Sequence, residues 1–365
     1  MADISPVMTF PTEIQQIASH RYDQNILAIR TLTSITLVEV IRATPKRSLQ
    51  VTVIAELDWQ SLDANGKAID IAFNPFGSPE LLVVTESGGV VVIAFGGDEV
   101  YLEPIESDIE FFIMDDPKAS QWHLAWLSAE SVLVASDRCL RLLHRKTPEA
   151  ASTLYAVSGE SERITSIEYE PSGSTICIST TEAVLWLDAA NTKDILLVWK
   201  HERETDLTLT VRTLVGPAGP LTLLSSRQTS LLTTYQLEKH NEEDGLSLES
   251  HHPCVIPTAV LSDPLQRRVG LAVIPDPLGK ENGESFLVLE AASNFSLFAT
   301  PLIRDKMSPL VMPELGHDPS AMLGSLGMTS RPDLGPRADR SKYEILLRGQ
   351  LMGKSIPSSF LNAGP

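Results

Sequence analysis

One strand–turn–strand unit recurs along this chain, and the recurrence limits its fold more than any other feature. In the clearest copy, Ile69-Asp70-Ile71-Ala72-Phe73-Asn74-Pro75 leads to Leu81-Leu82-Val83-Val84-Thr85. A turn at Glu86-Ser87-Gly88-Gly89 follows, and Val90-Val91-Val92-Ile93-Ala94 closes the unit. Period-two alternation and β-branched enrichment mark these runs as strands. A second copy runs from His123-Leu124-Ala125-Trp126 through Val132-Leu133-Val134-Ala135, turns at Ser136-Asp137-Arg138 and ends in Cys139-Leu140-Arg141-Leu142-Leu143. A third begins Ile164-Thr165-Ser166-Ile167-Glu168-Tyr169-Glu170-Pro171. It continues through Thr175-Ile176-Cys177-Ile178 and ends Ala183-Val184-Leu185-Trp186-Leu187.

Fainter copies flank these three. Asn25 to Ile29 and Ser34 to Val40 make an early pair. Leu221 to Leu224 and Ser230 to Tyr235 form a hairpin around Arg227-Gln228. Gly270 to Val273, Phe286 to Leu289 and Phe295 to Phe298 give one more set. Copies recur every roughly 40–60 residues, the length of a four-stranded blade. No long segment keeps a 3.6-residue apolar period, so the chain reads as all-β. A ring removes exposed sheet edges. The expected fold is therefore a WD40-like β-propeller of about six to seven four-stranded blades.

Two stretches interrupt the pattern. Residues 98–117 hold eight acids and no lysine or arginine. They read as a charged connection between blades, with a strand at Ile109 to Met114. Residues 304–341 are rich in Pro, Gly, Met and Arg and read as a low-order excursion. Tyr343 to Arg348 reads as one more strand, a candidate for closing the ring. The expected organisation is a propeller over 1–303, the excursion over 304–341, and a closing strand with tail over 342–365.

Charge narrows the function. The chain carries 47 acidic against 29 basic residues, a net charge of −18. Such a field repels a phosphate backbone, so most phosphate contacts are expected to come from other proteins. Three scattered cysteines, Cys139, Cys177 and Cys254, argue against a disulfide framework and read as small buried residues. No apolar run reaches the length of about 18 residues that a membrane helix needs. The start, Met1-Ala2-Asp3-Ile4-Ser5-Pro6, lacks the basic flank and apolar run of a signal peptide.

The sequence contains no dinucleotide-binding, P-loop, nucleophile-elbow or zincin motif. His251-His252-Pro253-Cys254 is the nearest thing to a metal cluster, but it lacks the second ligand pair of a structural zinc site. His201-Glu202-Arg203-Glu204 reads as a surface connection with local ion pairs. Trp126 and Trp186 fall inside strand patterns and read as packing between blades. No catalytic, cofactor-binding or metal-binding residue is assigned, and no cofactor is expected.

Three segments resemble the propeller subunit of the core-promoter factor for RNA polymerase I, called core factor in yeast and selectivity factor in animals. They are Ile69 to Phe76 with Val83 to Gly89, Trp122 to Trp126 with Leu133 to Arg138, and Ser179 to Asp188. The last joins Leu196-Leu197-Val198-Trp199-Lys200-His201 and then Leu207-Thr208-Leu209. The resemblance covers roughly residues 60 to 240. Ile93-Ala94-Phe95 stand where the family has an aromatic–acid pair, and Ala189-Ala190 where it has an arginine. Family members continue into a helical region and a tail, whereas this sequence ends at Pro365.

The resemblance implies a non-enzymatic scaffold in the nucleus and nucleolus, acting in ribosomal RNA gene transcription. Its implied partners are the factor's helical-repeat subunit, a subunit related to the general initiation factor, the TATA-binding protein and RNA polymerase I, with DNA met mainly through the complex. Two rivals stand beside it. One is a generic propeller adaptor in trafficking or ubiquitin ligation. The other is a propeller enzyme, which needs carboxylates or a metal converging at the channel mouth.

Overall fold

The computed structural model describes residues 8–305 apart from 21–24, 42–49, 60–65, 78, 97–98, 106–120, 148–150, 170–173, 192–193, 204, 217–218, 230, 243–244, 251–252, 258–267, 276–282 and 293–296. Every regular element among the described residues is a β-strand. The fold is a β-propeller whose chain divides into two compact units at Ile195/Leu196.

Blade 1 is β1 (Ile14–Ser19), β2 (Ile26–Thr31), β3 (Ser34–Ile41) and β4 (Gln50–Asp58). Blade 2 is β5 (Ala68–Phe73), β6 (Glu80–Thr85), β7 (Val90–Gly96) and β8 (Glu99–Ile105). Blade 3 is β9 (His123–Ser128), β10 (Ser131–Ala135), β11 (Cys139–His144) and β12 (Ser152–Ala156). Blade 4 is β13 (Ile164–Tyr169), β14 (Thr175–Thr180), β15 (Ala183–Asp188) and β16 (Ile195–Lys200). The three clear sequence copies are thus the first three strands of blades 2, 3 and 4.

In the second unit, blade 5 holds β17 (Thr210–Gly216), β18 (Gly219–Ser225) and β19 (Leu231–Glu242). The other edge of β19 is shared. Its first half pairs with β21 (Cys254–Pro257) and its second half with β20 (Gly245–Ser250). Blade 6 has three described strands, β22 (Arg268–Pro275), β23 (Gly283–Ala292) and β24 (Leu297–Asp305).

Each blade of the first unit buries its middle strands on both faces. Leu81, Val83 and Ile93 pack with Ala28, Ile35 and Leu37 of blade 1. Leu82, Val84 and Val92 face the other way and pack with Trp126, Val132 and Val134 of blade 3. Ile176, Ile178, Leu185 and Leu187 pack with Leu133, Ala135 and Leu140. In the second unit, Leu221, Leu223 and Leu232 pack with Phe286 and Val288. Successive side chains alternate between the two faces of a strand, so a strand between two neighbours must be apolar at every position. This is why the motifs read as unbroken apolar runs.

One hairpin device repeats. Thr31 Oγ1 accepts the backbone N–H groups of Thr33 and Ser34, at 3.2 and 3.1 Å. Thr85 Oγ1 accepts that of Gly89 at 3.1 Å. Ser136 Oγ accepts those of Arg138 and Cys139. Thr180 Oγ1 accepts those of Glu182 and Ala183, and Ser226 Oγ those of Gln228 and Thr229. A short hydroxyl side chain thus satisfies turn amides in each of blades 1 to 5. Thr180→Val strands two of them, and Ala183 is buried. The expected cost is about 1–3 kcal/mol, read as a lower denaturation midpoint.

The structure corrects two expectations. The acidic stretch opens with an outer strand, β8, where a connection between blades was expected. The strand placed at Phe295 to Phe298 runs instead over Leu297–Asp305. The predicted strand at 109–114 lies outside the described residues, as do the excursion beyond β24 and the closing strand.

Candidate interaction surface

A chain of polar side chains ties the first strands of blades 1, 2 and 3 together. Gln16 Nε2 donates to Asp70 Oδ1 at 2.6 Å and to the Ile71 carbonyl at 3.0 Å. Arg30 Nε donates to Gln16 Oε1 at 3.1 Å, and its Nη1 to the Ala68 carbonyl. Asp70 Oδ2 accepts the Leu124 backbone N–H at 2.8 Å. Both carboxylate oxygens of Asp70 are therefore occupied by neighbouring blades. Trp126 Nε1 adds a bond to the Ala72 carbonyl at 3.0 Å.

His123 sits beside this chain. Burial pushes its pKa below the ordinary imidazole range, against the attraction of Asp70 and Asp137. Its Nε2 is enclosed without a described hydrogen-bond partner. The native state therefore holds His123 neutral, while the unfolded chain protonates near pH 6.5. Unfolding takes up a proton below that value, so stability falls as the pH drops through it. A melting-temperature profile from about pH 8 to about pH 5 should be flatter for His123→Gln than for the parent.

Further out, Arg145 joins blades 2 and 3. It donates to Glu80 at 3.0 Å and to Glu103 at 2.7 Å, with its guanidinium 5.8 Å from the Trp126 ring centroid. At the β6–β7 turn, Gly88 has φ +84° and a Cβ there would meet the Trp122 ring at 2.8 Å. That position admits only glycine.

The second unit has its own polar interior. Asp206 bonds Ser226 and the Thr208 amide. Arg268 pairs with Glu290 and donates to the Ser226 carbonyl at 2.9 Å. Arg203 donates to Thr233 Oγ1, and burial pushes its pKa down against the attraction of Tyr235 and Asp206. The expected surface connection at His201 to Glu204 is thus corrected at Arg203; Glu202 is exposed, and Glu204 lies outside the described residues. His201 Nδ1 accepts the Arg203 amide, and the Arg203 side chain goes inward. No sequence signal marked it, because a charged residue between strands defaults to the surface.

Trp122, Trp126 and Trp186 are buried, as are Cys139 and Cys177, while Cys254 is half-buried on β21. His251 and His252 lie outside the described residues. Among the described residues, no group of three or more His, Cys, Asp or Glu is placed to hold a metal. Arg30, Asp70, Arg145 and Arg268 hold neighbouring blades together.

What the blades offer outward is apolar surface on the outer strands. Val53 and Ile54 on β4, Tyr101 and Leu102 on β8, and Ile195 and Val198 on β16 are exposed. A surface of this kind recognises other proteins.

The comparisons with known proteins agree in fold. A family model described as "Rrn6, beta-propeller" matches residues 7–258, from before β1 to just past β21. A chain of the Saccharomyces cerevisiae core factor superposes with a TM-score of 0.59 at 13% identity, over 88% of this chain and 52% of that one. This chain thus spans about half the length of the core-factor chain. The WD40 domain of Toxoplasma gondii coronin follows at 0.51 and 12% identity, over 79% of this chain and 68% of that one. The Cps50 (Swd1) propeller from Myceliophteria thermophila gives 0.50 at 10% identity, over 79% and 82%. No curated protein gives a significant sequence match.

Proposed function

The chain belongs to the Rrn6 β-propeller family, and from that membership we propose that it is a non-enzymatic scaffold subunit of an RNA polymerase I initiation factor. In this role it helps assemble the pre-initiation complex at ribosomal RNA gene promoters, in the nucleus and nucleolus. The observation that carries the reading is the family match, which spans blades 1 to 5. The blade interfaces are consistent with it. Their polar groups are spent on holding neighbouring blades together within each unit, and exposed apolar outer strands suit holding other subunits.

The partners in this reading are a helical-repeat subunit, a subunit related to the general initiation factor, the TATA-binding protein and the polymerase. Affinity purification of the tagged chain from its source cells, with mass spectrometry, tests it. Co-purification of polymerase I and its promoter factors is expected. Recovery of trafficking or ubiquitin-ligase components in their place would overturn the proposal.

The isolated chain should bind duplex DNA weakly and without sequence preference, given its net charge of −18. A gel-shift titration at physiological salt reads this directly. Tight binding by the chain alone would require a local basic surface that the net charge conceals.

A further inference from the structure

Two arginines of the first unit converge on residues 159–162, in the connection from blade 3 to blade 4. Arg138 stands in the turn between β10 and β11, and Arg163 directly precedes β13. Arg138 Nη1 donates to the carbonyls of Gly159, Glu160 and Glu162, at 2.9, 3.0 and 3.2 Å. Arg163 Nη1 donates to the carbonyl of Glu160 and, at 2.8 Å, to that of Glu162. Two carbonyls thus accept from both guanidiniums, and two positive charges are held side by side. The backbones are pinned as well. Ser136 Oγ accepts the Arg138 N–H, and the Arg138 carbonyl accepts that of Val157. Thr181 Oγ1 accepts the Arg163 N–H, and the Arg163 carbonyl accepts that of Thr181.

The charge of this pair is not answered by the chain. Acids outnumber bases by 47 to 29. Yet among the described residues neither guanidinium has a carboxylate partner. Arg145 and Arg268, by contrast, are each paired with a glutamate. The nearby carboxylates serve other groups. Glu162 is buried and accepts the Tyr155 hydroxyl at 3.4 Å, and Glu182 also acts on Tyr155. A guanidinium carries five N–H donors, so Nε and Nη2 of both arginines remain for a further acceptor. Both side chains are half-buried, and Ser158, Glu160 and Ser161 beside them are exposed. An acceptor can therefore reach the pair from solvent.

We propose that Arg138 and Arg163 form a binding site for a phosphoserine or phosphothreonine of a partner protein. A phosphomonoester carries about −1.5 to −2 charges at neutral pH and three acceptor oxygens. That is enough to take a pair of N–H donors from each arginine. A carboxylate offers one charge and two oxygens, and it satisfies one arginine only. A nucleic-acid backbone brings a row of phosphates against a chain of net charge −18. The compact dianion matches the pair best. It also relieves the repulsion between two like charges, which the pinned backbones otherwise hold in place. The inference goes beyond the initiation-factor reading and does not depend on it.

The test uses the full chain and a short glycine–alanine peptide with one central phosphoserine, followed by phosphorus NMR at physiological salt. Saturable broadening and shift of the peptide resonance are expected. Arg138→Gln and Arg163→Gln should each weaken binding at least about tenfold, as charge-assisted bonds are lost. Arg227→Gln, at the exposed turn of blade 5, should leave it unchanged. If the glutamine variants melt early, Arg163→Lys, which keeps the charge but loses the planar donor set, carries the same expectation. The proposal fails if the peptide does not bind, or if the Arg138 and Arg163 variants bind like the parent. Displacement by a glutamate peptide at equal concentration would make the pair a carboxylate site. Equal displacement by a short DNA duplex would assign it to a nucleic-acid backbone, and by inorganic phosphate to the free ion. Each of these overturns the proposal. Co-purified subunits are read separately, so either reading can fail alone.

Discussion

Trp186→Ala should destabilise the protein by about 3–5 kcal/mol, the usual cost of removing a large buried aromatic. Trp186 is 0% exposed and lies in the middle of β15, opposite Cys177 on β14. Leu185 and Leu187, on the opposite face of the same strand, pack into the core shared with blade 3. Both faces of β15 are therefore committed to packing, and truncation at Trp186 leaves a cavity the size of the indole. The loss is a large share of the about 5–15 kcal/mol that holds a typical domain together. Chemical denaturation followed by circular dichroism measures it. An unchanged midpoint with lost partner binding would instead make Trp186 an interface anchor.

Arg268→Met should have a comparable effect on the second unit. Arg268 and Glu290 are both fully buried and paired, on β22 and β23 of blade 6. Arg268 also reaches the Ser226 carbonyl in the hairpin turn of blade 5, so it ties two blades together. Removing the guanidinium leaves a buried carboxylate without its counter-charge, at a cost of about 3–5 kcal/mol. The double variant Arg268→Met with Glu290→Leu removes the stranded charge as well and should recover most of the loss. Urea titrations of the two single variants and the double one give the coupling. A double variant no better than Arg268→Met would show that the ion pair is not what Arg268 contributes.

The parts of the fold legible in the sequence are those whose environment leaves one choice. Leu81 to Thr85 and Ser131 to Ala135 are buried at every position, so neighbours on both sides dictate their apolar composition. Outer strands are half-exposed and mix polar with apolar residues. Ser152–Ala156 therefore carries no alternation, and the alternation of Gln50–Asp58 is broken by a register shift at Val53 to Ala55. β8 was hidden by its acids, which suit an exposed edge as well as they suit a loop. The interaction surface was less legible still. Asp70 stood in plain view within the clearest motif, but its bonds go to Gln16 and Leu124, each 54 residues away. Thr31, Thr85, Ser136, Thr180 and Ser226 form a repeat that residue identity blurs, because serine and threonine perform the same task.

The separation of 54 residues between Asp70 and Leu124 gives their bond a place in time. The hydroxyl-closed turns link residues two to four apart and can form in a lone hairpin as soon as it leaves the ribosome. Asp70 cannot complete its bonds until blade 3 exists. At a synthesis rate of about 5–20 residues per second, the interval between the emergence of Asp70 and of Leu124 is roughly 3–11 s. A newly made blade 2 therefore waits with one carboxylate oxygen unfilled, and the next blade locks it. Closing a loop of 54 residues also costs more chain entropy than closing a turn, so this bond is expected to form after the hairpins. Asp70→Ala should accordingly accelerate unfolding and leave the folding rate nearly unchanged, as for any contact formed after the transition state.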